Sequence, residues 1–199
     1  SWLVGGMFPS TPLAQPQGNN RWSFGITDYL APLGGEQTVR LRAGTKVPLA
    51  GGGEVTFSPR IWEEDYINLV QVFGSQADVC AYLYCEVESP VAQEVFFHIG
   101  TNDAGKLWVG NELVVDDPQD HGATRSLHAR KVRLPAGRTR VLVKIDQRGG
   151  NWGAYVELYG KREHERLVKL VNPDTLRAAK RQIEQLRREI GDPFAANRA

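Results

Sequence analysis

Apolar and polar positions alternate in short runs along most of this chain, and Gly, Pro, Asn and Asp break the runs. A period of two is the mark of strands that bury one face. Over residues 79–87, Val79, Ala81, Leu83, Cys85 and Val87 share one face and Cys80, Tyr82, Tyr84 and Glu86 the other; the first is the better core candidate. Over residues 139–145, Val141, Val143 and Ile145 alternate with Arg140, Leu142 and Lys144. The stretch from His98 to Val115 reads as the centre of the fold. Phe96, Phe97 and Ile99 close one strand, residues 101–105 make a polar loop, and Leu107-Trp108-Val109 and Leu113-Val114-Val115 flank Gly110-Asn111. Gly and Asn accept the positive φ that a tight hairpin turn demands, so the pair predicts a hairpin.

Further strands are expected at residues 1–8, 38–42, 54–57, 60–62, 93–99, 129–134 and 152–159. The densest β signal is the β-branched and aromatic run from Asp65 to Phe73. Short strands separated by turn chemistry, without helical periodicity between them, predict an all-β fold. The expected architecture is an antiparallel β-sandwich, jelly-roll-like, over residues 1–160.

From Gly160 the pattern changes, and residues 161–199 read as a linker followed by an amphipathic C-terminal helix. Asn172-Pro173-Asp174 combines a cap, a proline at the first helical position and an acid in the first turn. Leu176, Ala179, Ile183, Leu186 and Ile190 then fall at heptad spacing before Gly191-Asp192-Pro193 stops the helix. Two readings stay open: the stripe packs on the sandwich, or it docks to a neighbouring domain or a second copy as a homo-oligomer. Residues 161–199 hold ten Lys or Arg against six Asp or Glu, a mild excess that suits a solvated face.

Composition narrows the function classes. With 199 residues there is room for one well-buried domain and an appendage. A net charge of +1 gives no general pull toward nucleic acid, and no apolar run approaches the ~20 residues that span a bilayer, so neither nucleic acid nor membrane is an expected partner. The chain opens inside an expected strand, at Ser1-Trp2, and so reads as a piece of a larger polypeptide. Cys80 and Cys85 would sit about 16 Å apart on opposite faces of one strand, beyond disulfide reach, and are expected to be small buried fillers.

Several short motifs resemble a family. Ile99-Gly100-Thr101-Asn102-Asp103-Ala104-Gly105, Leu107-Trp108-Val109-Gly110-Asn111, Val141-Leu142-Val143-Lys144-Ile145 and Trp152-Gly153-Ala154-Tyr155-Val156-Glu157-Leu158 are the carriers. They resemble the protective-antigen-type and galactose-binding-like carbohydrate-binding modules appended to secreted bacterial glycoside hydrolases, polysaccharide lyases and peptidases. Trp2 to Pro9, Asp28-Tyr29-Leu30 and Gly34-Gly35-Glu36 extend the likeness across most of residues 1–160. Asn102 and Ala104 depart from the acidic pair and following Gly of that pattern, and Gly110-Asn111 reverses its usual Asn-Gly turn. The resemblance implies a noncatalytic accessory module that binds a polysaccharide or oligosaccharide and targets a larger secreted enzyme, in an extracellular or periplasmic setting. The alternative is a structural module that mediates domain packing or oligomerisation through the sandwich and the C-terminal helix.

Sugar recognition needs flat aromatic faces and fixed polar groups. Trp108, Trp152 and Trp2 sit in strand patterns and are expected in the core. Trp22 and Trp62 flank irregular segments and are the platform candidates, with Tyr29 and Tyr155 behind them; the competing reading of each is a buried loop anchor. Asn102 and Asp103 complete the ligand-binding candidates, as sugar-hydroxyl acceptors or as turn stabilisers. Calcium is the one cofactor the resemblance brings in, and it takes six to eight oxygen ligands, usually several of them carboxylate. One Asp beside an Asn falls short of that, so no metal is assigned. Asp116, Asp117, Asp120, His121 and His128 concentrate carboxylates and imidazoles in a loop that reads as solvated, without zinc spacing. No nucleophile elbow, P-loop or dinucleotide fingerprint is present, and no catalytic residue is assigned.

Overall fold

The computed structural model describes residues 1–10, 27–171 and 181–182. Trp22 and the heptad from Leu176 to Ile190 lie outside them. Among the described residues the strands are β1 (Trp2–Pro9), β2 (Lys46–Pro48), β3 (Glu54–Thr56), β4 (Ser58–Arg60), β5 (Tyr66–Asn68), β6 (Val79–Ser89), β7 (Gln93–Thr101), β8 (Gly105–Val109), β9 (Glu112–Asp117), β10 (His128–Leu134), β11 (Gly137–Gln147) and β12 (Gly153–Gly160). Two helices accompany them, α1 (Val70–Phe73) and α2 (Lys161–Val171). One sheet has the order β4-β1-β6-β11-β8-β9, a second β10-β7-β12-β5, and β2 and β3 form a separate ribbon. The pairings with a defined register, such as β6 with β11 and β7 with β10, are antiparallel. The protein is therefore an all-β antiparallel sandwich followed by a C-terminal helical segment, as the alternation predicts. Residues Ser1–Leu158 make one compact unit and a second begins at Tyr159.

The core between the two main sheets is built from the expected faces. Ala81 and Leu83 of β6, Leu107 and Val109 of β8, and Val141, Val143 and Ile145 of β11 meet Ile67, Val95, Phe97, Ile99, Val132 and Leu134. Trp152 is fully buried among them. The central hairpin forms as predicted, with β8 and β9 joined through Gly110 at φ 60°.

The other face of the large sheet is buried too, which the alternation does not predict. Phe8, Cys80, Tyr82, Tyr84, Trp108 and Leu142 lie beneath Leu30, Val39, Leu41, Val47, Val55 and Phe57, forming a second core. Val39 and Leu41 serve it without forming the expected strand over residues 38–42. Fully burying an apolar side chain of this size contributes ~1.5–3 kcal/mol, so the cover over residues 27–57 holds itself down. Gly5 and Gly6 in β1 permit the closeness: a Cβ on Gly5 would meet the Phe57 ring at 2.6 Å, and one on Gly6 the Phe73 ring at 2.7 Å.

Two-sided burial places charge inside the protein. Arg140 and Lys144 lie on the outer face of β11 beside Leu142, and both are fully buried. Lys144 donates to the Thr27 carbonyl at 2.6 Å and to Glu36 Oε1 at 3.1 Å, with its ammonium 5.4 Å from the Tyr82 ring centroid. Tyr82 donates to the same Glu36 oxygen at 2.5 Å, and Arg140 donates to the Glu36 backbone carbonyl. Buried charges persist only when paired or hydrogen-bonded; the covering segment supplies the Glu36 carboxylate to Lys144 and the Glu36 backbone carbonyl to Arg140.

Two segments differ from expectation. The run from Asp65 to Phe73 forms only the short β5 before turning into α1, because Asn68 Oδ1 accepts from the amides of Val70 at 3.0 Å and Gln71 at 3.3 Å. A side chain that satisfies first-turn amides favours a helix start over a continued ladder. Helix α2 begins at Lys161, directly after β12, where a linker is expected; Glu163 accepts from the Gly160 amide at 3.0 Å and caps it.

Candidate ligand-binding cleft and its neighbouring loop cluster

Where β1 enters the sheet, the link from β4 to β5 passes beside it and leaves a cleft of about 190 Å³. Ser1, Trp2, Ile61, Trp62, Glu64, Asp65, Ile67 and Val156 line it, Ile67 being buried and Glu64 and Asp65 exposed. Ile61 is 78% exposed, so the apolar wall is open to solvent. Trp62 is partly buried against the main core, and its Nε1–H donates to the Asn68 carbonyl at 3.3 Å, which holds the indole in place. Trp2 is half-buried rather than part of the closed core. Drug-sized pockets measure ~300–1,000 Å³, so this cleft takes about one ring. A larger recess of about 260 Å³ is also lined by Trp2, but Glu86 in its lining already accepts from Tyr84 at 3.0 Å and Arg40 at 2.8 Å. Those bonds hold the Glu86 carboxyl below its ordinary range and leave fewer groups for a ligand.

A cluster of loops adjoins this cleft through Asp65. Arg125 donates to Asp65 at 2.7 Å and to Glu157 at 2.6 Å, and its guanidinium lies 5.0 Å from the Tyr155 ring centroid. Tyr155 also packs on Tyr66, with centroids 5.0 Å apart. The loop of residues 118–127 presses on β7, where a Cβ on Gly100 would fall 1.8 Å from the Thr124 carbonyl oxygen. Asp103, at φ 59° and buried, donates its amide to the His121 carbonyl at 2.6 Å and accepts from the Arg148 amide at 2.8 Å. Its carboxyl also bonds that of Asp120, which takes the Arg148 guanidinium at 2.8 Å. Burial, and then this second carboxylate, push Asp103 up to about 7, so the pair holds one proton between them. The hydrogen bond from Asp103, with Arg148 beside it, holds Asp120 below its ordinary range.

The same loop contains a second knot. Asp117 Oδ2 lies 2.9 Å from His121 Nε2 and 2.5 Å from His128 Nε2. Burial works to raise this carboxyl, but the two imidazoles and the Gln119 amide outweigh it and hold it below the usual carboxylate range. The loop is thus anchored internally, not solvated throughout as its polarity suggests.

The six sequence-derived candidates separate. Trp62 lines the cleft, and Trp22 lies outside the described residues. Tyr155 presents its face to Arg125. Tyr29 stacks on Phe8 with centroids 4.9 Å apart and bonds the Pro9 carbonyl, as part of the second core. Asn102 donates its amide to the Gly153 carbonyl at 2.8 Å and, with Asp103, belongs to the loop cluster. Trp2, Glu64 and Asp65 are the lining residues that periodicity did not single out. The signal for Trp2 was its place at the end of an edge-side strand, where a side chain is covered on one flank only. Calcium does not fit the loop cluster: Arg148 supplies the positive charge beside both carboxylates, and among the described residues no group of three or more His, Cys, Asp or Glu is arranged to hold a metal. Both cysteines are free, and burial pushes Cys85 up to about 12, so neither is a nucleophile at neutral pH.

Comparison with known proteins finds no matching family model and no matching curated protein. Among solved structures, the chain is similar to an anti-sigma factor domain-containing protein, with 22% identity over 43% of this chain and 30% of that one, at a TM-score of 0.39. It is similar to a β-glucosidase from Kluyveromyces marxianus, with 15% identity over 55% of this chain and 14% of that one, also at 0.39. A PA14 sugar-binding domain from RTX adhesin shows 15% identity over 79% of this chain and 88% of that one, at 0.40. The chain thus spans a third or less of the length of the first two. At scores this low, the site has to be read from this chain's own residues.

Proposed function

We propose that this protein is a noncatalytic carbohydrate-binding module that holds one sugar ring of a polysaccharide or oligosaccharide in the Trp2–Trp62 cleft. The observation that carries the reading is the composition of that cleft: two indoles and two carboxylates line a space of about 190 Å³. An indole covers the apolar C–H face of a pyranose, and carboxylates accept from its hydroxyls. The sandwich supplies a rigid mount, since Trp62 is bonded to Asn68 and Ile67 belongs to the main core. As an accessory module, the domain keeps a larger secreted enzyme near its polysaccharide, in the extracellular or periplasmic setting expected above. Pull-down on insoluble polysaccharides with the intact chain and with Trp62→Ala tests the assignment: retention by the intact chain that the variant loses supports it, and equal retention refutes it.

One observation favours assembly as a second reading. Tyr159, Glu163, Arg166 and Leu167 line a shallow recess of about 220 Å³ along α2, and Val168 on that helix is 48% exposed. Light scattering with and without residues 172–199 decides it, because a monomer in both cases leaves no role for the helix in assembly.

A further inference from the structure

Resting on the carbohydrate reading, we propose that the cleft selects glycans bearing a protonated amino group, as in glucosamine polymers, and rejects acidic ones. Carboxylates outnumber cations around it, where Ser1 with its terminal amine also lines the cleft and Arg125 pairs with Asp65. Glu63, Glu64 and Asp65 follow Trp62 directly, and all three are exposed. Among the described residues, no ion pair engages Glu63 or Glu64. Asp65 shares Arg125 with Glu157, so a single guanidinium serves two carboxylates there. Arg60 stands just before the wall, but its guanidinium bonds the Pro59 carbonyl and does not line the cleft. Carboxylates therefore outnumber cations around a lining that includes two indoles.

That combination is the chemistry of ammonium recognition. The face of an indole attracts a cation, and each such contact is worth about 2- to 30-fold in affinity. A carboxylate beside it adds a charge-assisted hydrogen bond. A neutral acetamido sugar of the same size keeps the stacking and loses both contributions. A uronate or sulfate sets like charge against Glu64 and Asp65 and loses affinity further. The preference for the aminated sugar also weakens with added salt, because Glu64 and Asp65 are exposed.

The test is a calorimetric titration of the full chain with three tetrasaccharides: glucosamine, N-acetylglucosamine and galacturonic acid. The expected order is aminated, then acetylated, then acidic, with about tenfold or more between the first and second. Glu64→Gln with Asp65→Asn removes charge without removing shape. It is expected to bring the aminated ligand down toward the level of the acetylated one, whose own binding falls less because the amide oxygens still accept from its hydroxyls; Glu64→Gln alone, which leaves the Arg125 pair intact, gives part of that loss. Equal binding of the acetylated and aminated ligands, binding of the acidic ligand as tightly as the aminated one, or a double variant that keeps the preference overturns the inference while leaving the carbohydrate reading standing. Absence of binding to all three overturns both.

Discussion

Replacing Asp103 by Asn tests the account of the loop cluster through its pH dependence. In the unfolded chain an aspartate titrates near 3.9, whereas burial and the neighbouring Asp120 push Asp103 up to about 7 in the folded protein. Between those values the native state holds a proton that the unfolded state has released. Stability therefore falls as pH rises, from a contribution fully present below about 4 to one lost above about 7. Asp120 works in the opposite direction, since its carboxyl is held low and its contribution is lost only as pH falls further into the acid range. From pH 5.5 to 7 one retained proton corresponds to about 2 kcal/mol, at 1.36 kcal/mol per unit. Solvent screening makes this an upper figure, because the Asp120 side chain is 41% exposed. For a chain of this length 2 kcal/mol is a fall in Tm of about 4–8 °C. Asn cannot lose that proton, so D103N is expected to flatten the slope between pH 5.5 and 7. Urea or thermal unfolding at half-unit pH steps gives the difference directly. Parallel slopes in the two proteins would show that Asp103 and Asp120 hold no proton between them.

Three further expectations follow from the same contacts. Glu36→Ala removes the carboxylate partner of the buried Lys144 ammonium and the acceptor of the Tyr82 hydroxyl, and should cost about 3–5 kcal/mol in denaturant unfolding, whereas Glu36→Leu with Lys144→Met should recover most of it; a loss under ~1 kcal/mol for the single variant contradicts the network. Gly100→Ala drives a methyl into the Thr124 carbonyl and should cost about 1–3 kcal/mol, with faster amide hydrogen exchange across residues 118–127 as the specific readout. Chelation should leave Tm and sugar binding unchanged, and added calcium should not raise Tm, because Arg148 already balances the charge of Asp103 and Asp120.

The alternation along β6 and β11 revealed the sandwich because the central inward side chains Ala81, Leu83, Val141, Val143 and Ile145 are apolar, and Gly110-Asn111 located the central hairpin by its turn chemistry. The second core was not legible in the same way. Tyr82, Tyr84, Arg140 and Lys144 make an ordinary amphipathic outer face, and only the tertiary position of Leu30, Glu36 and Phe57 buries it. Asp65 to Phe73 carries a strong β composition, yet the Asn68 side chain ends the strand by bonding two helix amides. At the site, Trp62 was visible as an indole beside an irregular segment. Trp2 was not, because a strand pattern alone does not tell which end of a strand is left uncovered.

The most direct test of the central claim is an NMR titration with N-acetylglucosamine and glucosamine tetrasaccharides that follows the indole N–H signals of Trp2 and Trp62 beside those of the buried Trp108 and Trp152. The account predicts shifts at Trp2 and Trp62 and at the amides of Ile67 and Val156, with the two buried indoles unmoved and affinity at least about tenfold weaker in W62A. Shifts confined to residues 101–105 and 118–127, or unchanged affinity in W62A, would contradict it.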